Sequence, residues 1–207
     1  MLDIKIVNSD YGFNRQCEKM FTLFNNLLMD DLYRYEGDEN RRLMVKIKYL
    51  FCVPGFTYTF FFRHVNMSHN RLSRLFWSFF LYFTRFITHI QIPPETSIGR
   101  GFRIAHFGAI VINPHSKIGE NFNISNGCLI GYALGKAKGV PVIGDNVYMN
   151  ANSVVLGNAK IGNNVLIAPG AFVNFDVPDN SIVIGNPGRI IHRDSSPTEK
   201  YIVHPVK

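Results

Sequence analysis

The chain has 207 residues, is 46% hydrophobic and carries a formal net charge of +7. That is one or two domains with enough apolar content for a sizeable core, and its scattered Lys and Arg form no basic run of the kind a nucleic-acid groove needs. Cys17, Cys52 and Cys128 have no metal-ligand spacing and make no even disulfide framework, and the opening MLDIKIVNSD has no basic-then-apolar leader, so metal chemistry and secretion are not expected and a reducing cytoplasm fits.

The first 90 residues read as helical. Over Met20 to Leu32, the residues Phe21, Phe24, Leu27, Leu28 and Leu32 recur at helical spacing. A second helix is expected over Leu43 to Phe51, ended by Pro54-Gly55. Phe56 to Val65 is a third, aromatic segment in which Arg63 and His64 read as a surface pair or a buried structural pair. Leu72 to Ile90 has the clearest amphipathic pattern, with Leu72, Leu75, Phe76, Phe79, Phe83, Phe86, Ile87 and Ile90 on one side. Packing against the core or another subunit is the favoured reading of that side. Its LFWSFFLYF run is too short to span a bilayer, which takes roughly 20 apolar residues. With Arg71, Arg74 and Arg85 beside it, the segment also suits peripheral contact with the inner face of the membrane.

From residue 91 the pattern changes. Ile92, Ile98 and Ile104 are six apart, as are Ile112, Ile118, Ile124 and Ile130, and then Ile143, Met149, Val155, Ile161, Ile167 and Val173. The sixes of the last run carry small or β-branched residues four places on, with Gly, Asn, Asp and Pro between. Neither a helix nor a simple strand has this period, and short fixed repeats mark a solenoid of strands and turns with the apolar position pointing inward. The phase slips between Ile104 and Ile112 and is lost from Tyr132 to Val142. Insertions in a solenoid map to loops on one face, often the binding face, so chemistry is sought there.

The first slip holds His106, at a turn beside Gly108. A histidine there is either ordinary turn filling or a general base, since imidazole takes protons near neutral pH. Cys128 falls on a small inward position and reads as packing. His69, His89, His192 and His204 have no visible partner in the sequence.

These stretches, IPPETSIGRGFRIAHFGAIVIN (Ile92 to Asn113), VPVIGDNVYMNANSVVLGNAKIGNNVLIAPGAFV (Val140 to Val173) and DVPDNSIVIGNPGRII (Asp176 to Ile191), resemble the hexapeptide-repeat acyltransferases, in the order found in the serine acetyltransferase branch. The resemblance implies an α+β chain: an N-terminal helical domain (1–90), a left-handed parallel β-helix (91–193) and a C-terminal tail (194–207), the last read as polar and loose. It implies transfer of acetyl from acetyl-CoA to a hydroxyl, with no metal, and a homotrimer, paired further through the helical domains. His106 matches the catalytic histidine. By the same resemblance Gly131, Lys136 and Lys138 lie in a loop reaching the acyl donor. Ala151 and Ala168-Pro169-Gly170 line the pantetheine groove. Gly185, Pro187 and Arg189 match the C-terminal motif of the donor site.

Three positions depart from the serine-binding pattern. Ala105 and Gln91 stand where the family has aspartates, and Val140 where it has a histidine. Either Gln91, through its amide oxygen, or a backbone carbonyl is then expected to orient His106, with Ala105, Asn113 and His115 toward the acceptor. A site for a zwitterion is not expected to lack these polar groups. With HFGAIVIN, the departures resemble colanic-acid and capsular polysaccharide O-acetyltransferases. They imply a sugar or glycan hydroxyl as acceptor, in surface polysaccharide biosynthesis. Serine O-acetylation and a non-catalytic scaffold are the alternatives.

Overall fold

The computed structural model describes residues 26–37 and 43–207. Much of the expected first helix, and Cys17, lie outside them. Residues 26–36 are helical (α1), followed by α2 (Leu43–Cys52), α3 (Pro54–Asn66) and α4 (Arg71–Thr88). Pro54-Gly55 does not simply end α2. Pro54 opens α3, where its missing N–H costs nothing and its fixed φ suits the first turn. Asn70 caps α4 through its side-chain oxygen, which accepts from the Ser73 N–H at 2.6 Å. His89 closes α4 in the left-handed conformation, φ 56°.

The repeats form a three-faced prism of parallel strands. Face one holds β1 (Ser97–Ile98), β4 (Lys117–Ile118), β7 (Val142–Ile143) and β10 (Lys160–Ile161). Face two holds β2 (Arg103–Ile104), β5 (Asn123–Ile124), β8 (Tyr148–Met149), β11 (Leu166–Ile167) and β13 (Ser181–Ile184), closed by the antiparallel β14 (Arg189–His192). Face three holds β3 (Val111–Ile112), β6 (Leu129–Gly131), β9 (Val154–Leu156) and β12 (Phe172–Val173). The apolar sixth position is the inward one: Ile104, Ile124, Met149, Ile167 and Val183 stack in register along face two, all buried. Each such aliphatic burial contributes about 1.5–3 kcal/mol.

The edge between faces one and two shows why the period is strict there. Asn121, Asn146, Asn164 and Asn180 all hold positive φ, a conformation that Asn tolerates through local hydrogen bonds. Their amides chain down the edge, Asn146 donating to Asn164 (3.1 Å) and Asn164 to Asn180 (2.9 Å). Gly119 and Gly144 lie so close to the next coil that a Cβ would meet its backbone at 2.7 and 2.9 Å. Stacking thus dictates glycine and asparagine here. Inside, Phe102 and Phe122 stack at 6.0 Å in the upper coils, and the equivalent positions lower down are Val147 and Val165. Cys128 is likewise an inward filler. Its thiol donates to the Asn150 carbonyl at 3.0 Å, and burial pushes the thiol up from its ordinary value.

The helices cover the open end of the prism. Arg63 is buried and makes a two-pronged contact with buried Asp31 (2.7 and 3.2 Å), and also donates to the carbonyls of Ile98 (2.8 Å) and Gly99 (2.6 Å). Of the two sequence readings of Arg63, the buried one is therefore correct. Burial pushes the Asp31 carboxyl up, and the Arg63 guanidinium opposes that. Asp31 also accepts from the Phe102 N–H at 2.8 Å. His64 packs on Phe60 and Trp77, with burial pulling its imidazole below the ordinary value.

Two expectations are corrected. Of the two forms of the favoured reading of α4, contact with the core or with another subunit, the first is not met within this chain: Trp77 packs against the core and Leu81, Thr84 and Thr88 are buried, while Leu72, Leu75, Phe76, Phe79, Phe83, Phe86 and Ile87 are exposed. Ile90, just past the helix, is the buried member of the expected set. The tail is not loose. It packs back against the prism and helices: Thr198 donates to the Asn146 carbonyl (2.9 Å), Val206 pairs with Asn121, and Arg34 donates to the Val203 carbonyl. Ile202 is buried there.

Removing one member of a buried ion pair leaves the other charge uncompensated, at about 3–5 kcal/mol. Arg63→Ala is therefore expected to lower unfolding stability by that amount in urea titration; a loss under about 1 kcal/mol would mean that the pair does not tie helices to prism. A thiol-reactive probe is expected to label exposed Cys52 and spare Cys128 in the folded protein. Comparable labelling of both, read by peptide mass, would contradict the packing role of Cys128.

Candidate functional site

The site lies along the edge between faces two and three. After β2 the chain makes a longer turn than the coils below make at the same edge, through Ala105, His106, Phe107 and Gly108. Gly108 takes φ 117° and Ala109 φ 50°, and the Gly108 carbonyl accepts from the Gly127 N–H below it (2.9 Å). This geometry throws His106 and Phe107 outward, where both are exposed. A cleft of about 330 Å³ opens beside them. Its walls are Ile104 to Phe107 and Asn126 from the prism, and Cys52, Val53, Pro54 and Gly55 from the junction of α2 and α3. Gly55 is required at that junction: a Cβ there would meet the Ile104 carbonyl at 2.7 Å.

Register extends the site downward. Ile104 pairs with Ile124, Ile124 with Met149, Met149 with Ile167 and Ile167 with Val183. Two residues on from each come His106, Asn126, Ala151, Pro169 and Gly185, which therefore form one column. Backbone bonds tie its turns together: Asn152 N–H to the Asn126 carbonyl (3.0 Å), Gly170 N–H to the Ala151 carbonyl (3.0 Å) and Phe172 N–H to the Gly185 carbonyl (3.0 Å). At strand spacing, the four steps from His106 to Gly185 span about 19 Å. Side chains along it are small. A Cβ on Gly170 would touch nothing, so this edge is open to an approaching chain. Pro187 and exposed Arg189 follow Gly185 at the foot of the column.

Other residues singled out from sequence lie elsewhere. Asn113 and His115 are on the turn after β3, at the far edge of face three, where Asn113 Oδ1 accepts from the His115 N–H (3.0 Å), an ordinary turn arrangement. Gly131 ends β6 directly below, buried, with its carbonyl accepting from Gly157 (3.1 Å). Lys136 and Lys138 are exposed on the loop that follows, pinched by the Ala133–Gly139 bridge. Within one chain, then, Asn113, His115, Gly131, Lys136 and Lys138 are not brought to His106.

Gln91 is also corrected. It pairs with Val111 at the top of face three, and its amide oxygen accepts from Arg85 of α4 at 3.2 Å. His106 has no hydrogen-bond partner among the described residues, so the expected Gln91–His106 bond is not made. A guanidinium is a stronger partner for the amide oxygen than a neutral imidazole, and α4 delivers one. Among the described residues no group of three His, Cys, Asp or Glu side chains could hold a metal ion. The sequence reading missed Asn126, Phe107 and the α2–α3 junction. Asn126 was recoverable by counting one coil on from His106, but the junction depends on how the helices pack.

Residues 141–174 match the family model described as bacterial transferase hexapeptide (six repeats). The chain is 31% identical over 173 residues to a serine acetyltransferase of Synechococcus elongatus, covering 83% of this chain and 70% of that one. It is 41% identical over 123 residues to a serine acetyltransferase of Staphylococcus xylosus, covering 58% of this chain and 56% of that one. Among solved structures it is similar to the serine acetyltransferase of Neisseria gonorrhoeae in complex with serine (TM-score 0.68, 25% identity, 81% of this chain and 69% of that one). The serine acetyltransferase of Vibrio cholerae shares the fold (TM-score 0.71, 23% identity, 87% of this chain and 72% of that one). These relatives overturn the sugar-hydroxyl reading and its place in polysaccharide biosynthesis. That reading rested on Gln91, Ala105 and Val140 alone, whereas the likeness runs through most of the chain. The chain belongs to the serine acetyltransferase family of hexapeptide-repeat transferases.

Proposed function

We propose that this protein transfers an acetyl group from acetyl-CoA to the hydroxyl of L-serine, with His106 as general base. The chain is an acyltransferase that takes acetyl from acetyl-CoA and delivers it to a hydroxyl. The observation that carries the assignment of roles is the column: an exposed imidazole at its head, in a cleft, above small-residue turns with an open edge.

The column fits an extended acyl donor. Ala151, Ala168, Pro169, Gly170 and Gly185 would hold the pantetheine arm through peptide groups, and Arg189 at the foot would meet phosphate. The donor supplies the thioester. The acceptor hydroxyl sits in the cleft against His106, which takes its proton as the oxygen attacks. Turn N–H groups beside Gly108 are suited to stabilising the developing negative charge. Cys128 plays no part, being buried and inward.

The coil is read as left-handed, as in the family, and the assembly as a homotrimer. In a trimer the far edge of face three of one copy, with Asn113, His115, Lys136 and Lys138, would meet the His106 column of the next. That reading supplies a role for the residues that one chain leaves apart.

Thiol release from acetyl-CoA with L-serine as acceptor tests the reaction. His106→Ala is expected to lower kcat by roughly a hundredfold or more, the usual worth of a general base. No turnover with L-serine would overturn the acceptor, and unchanged turnover in the variant would overturn His106. Because Arg85 holds its amide, Gln91→Ala is expected to cost less than roughly tenfold in kcat, well below the loss of the base itself. A loss equal to that of His106→Ala would restore Gln91 as its orienting partner.

A further inference from the structure

The helix α4 exposes an apolar face that none of the described residues covers. Leu72 (81% exposed), Leu75, Phe76, Phe79 (68%), Tyr82, Phe83, Phe86 (74%) and Ile87 all point outward. On a helical projection they cover roughly 140° of the circumference, over a length of about 23 Å. A contiguous patch of this kind marks an interaction site. The helix contains no acidic residue, while Arg71, Arg74 and Arg85 lie along one flank of the stripe. Arg71 has no partner among the described residues, Arg74 pairs with Glu95 at the surface, and Arg85 is held by neutral Gln91.

This charge pattern selects the occupant. A two-fold contact between copies presents the same patch twice, so arginines would face arginines with no carboxylate on either helix to answer them. An anionic bilayer answers Arg71 and Arg85, which have no carboxylate partner, and meets Arg74 beside its surface partner Glu95. Wide aromatic faces flanked by Arg are what helices lying in a lipid interface carry, with rings at the headgroup–acyl boundary and cations at the phosphates. Among the described residues no helix is long and apolar enough to cross a membrane, so such a helix would lie flat.

We propose that α4 docks the protein on an anionic lipid bilayer, its apolar stripe inserted at the interface and Arg71, Arg74 and Arg85 at the headgroups. The inference is independent of the acceptor and of His106.

Co-sedimentation of the full chain with vesicles is the test, comparing phosphatidylcholine alone with phosphatidylcholine mixed with phosphatidylglycerol. Binding is expected to the anionic vesicles only and to weaken with salt. The triple variant Phe79→Ser/Phe83→Ser/Phe86→Ser, at surface positions, is expected to keep its unfolding midpoint and lose at least roughly tenfold in vesicle binding. Trp77 is the single tryptophan, so Trp77→Phe/Phe83→Trp places one indole on the stripe. Brominated acyl chains are expected to quench it. Absence of binding to either vesicle, equal binding to both, binding retained by the triple variant, or an unquenched indole would each overturn the proposal. So would a lipid-free dimer that the same three substitutions dissolve, which would make a second copy the occupant.

Discussion

A stack of parallel coils has an unpaired end, and closing that end organises the rest of this molecule. Among the described residues the first coil has no strand above it, so its N–H and C=O groups lack the strand partners every lower coil has. The helices supply them with side chains. Tyr58 donates to the Ile92 carbonyl and accepts from the Ile92 N–H, both at 3.0 Å. Tyr35 does the same for Ile104, at 3.2 and 2.9 Å. Arg63 takes the carbonyls of Ile98 and Gly99, Asp31 the N–H of Phe102, and Arg34 the carbonyl of Gly101. An apolar lid would leave each of these groups unsatisfied, at about 1–3 kcal/mol apiece. That is the physical reason for burying two arginines and an aspartate, residues that are almost never fully buried unless paired. The burial has consequences for the groups themselves: it pushes the Tyr58 hydroxyl up to about 12 and, with Arg103 nearby, pulls Arg34 down to about 10.

The site follows from that closure. Ile104 is the last residue of β2, and Ala105-His106 comes next. With both backbone groups of Ile104 held by Tyr35, the point where the His106 turn leaves the prism is fixed from α1. The Val53-Pro54-Gly55 junction is pressed onto the same carbonyl and forms the opposite wall of the cleft. The helical cap therefore belongs to the site as well as to the core. Lower down the prism needs no such help, because each coil satisfies the next, and the column of Asn126, Ala151, Pro169 and Gly185 inherits its straightness from strand register.

This division explains what could be read from the sequence. Periodicity reports which side chains point inward, so the prism, the inward role of Cys128 and the turn position of His106 were legible. The column was legible too, once one coil is counted onto the next. What periodicity does not report is where an amphipathic helix turns its apolar side. The spacing of the α4 stripe suits core or subunit contact alike, and within this chain the helix packs through Trp77, Leu81, Thr84 and Thr88 instead. Hydrogen-bond partners separated by many residues were equally invisible: Arg34 reaching the Val203 carbonyl fixes a tail whose composition reads as loose, and Arg85 takes the amide that seemed free for His106. The acceptor was misjudged for a related reason. Three positions with altered polarity were given more weight than the framework that holds them, and polarity at isolated positions does not fix a substrate.

The first coil also joins the site to the exposed helix. α4 runs through the left-handed His89 directly into Ile90, which is fully buried, and Gln91, which opens the prism while accepting from Arg85 six residues back. There is no flexible linker between them to absorb motion; the chain passes from helix to strand pairing within a few residues. The residues between them are held: the His89 N–H donates to the Arg85 carbonyl, and Gln91 pairs with Val111 at the top of face three. The placing of α4 is therefore tied to the same first coil that carries the His106 turn.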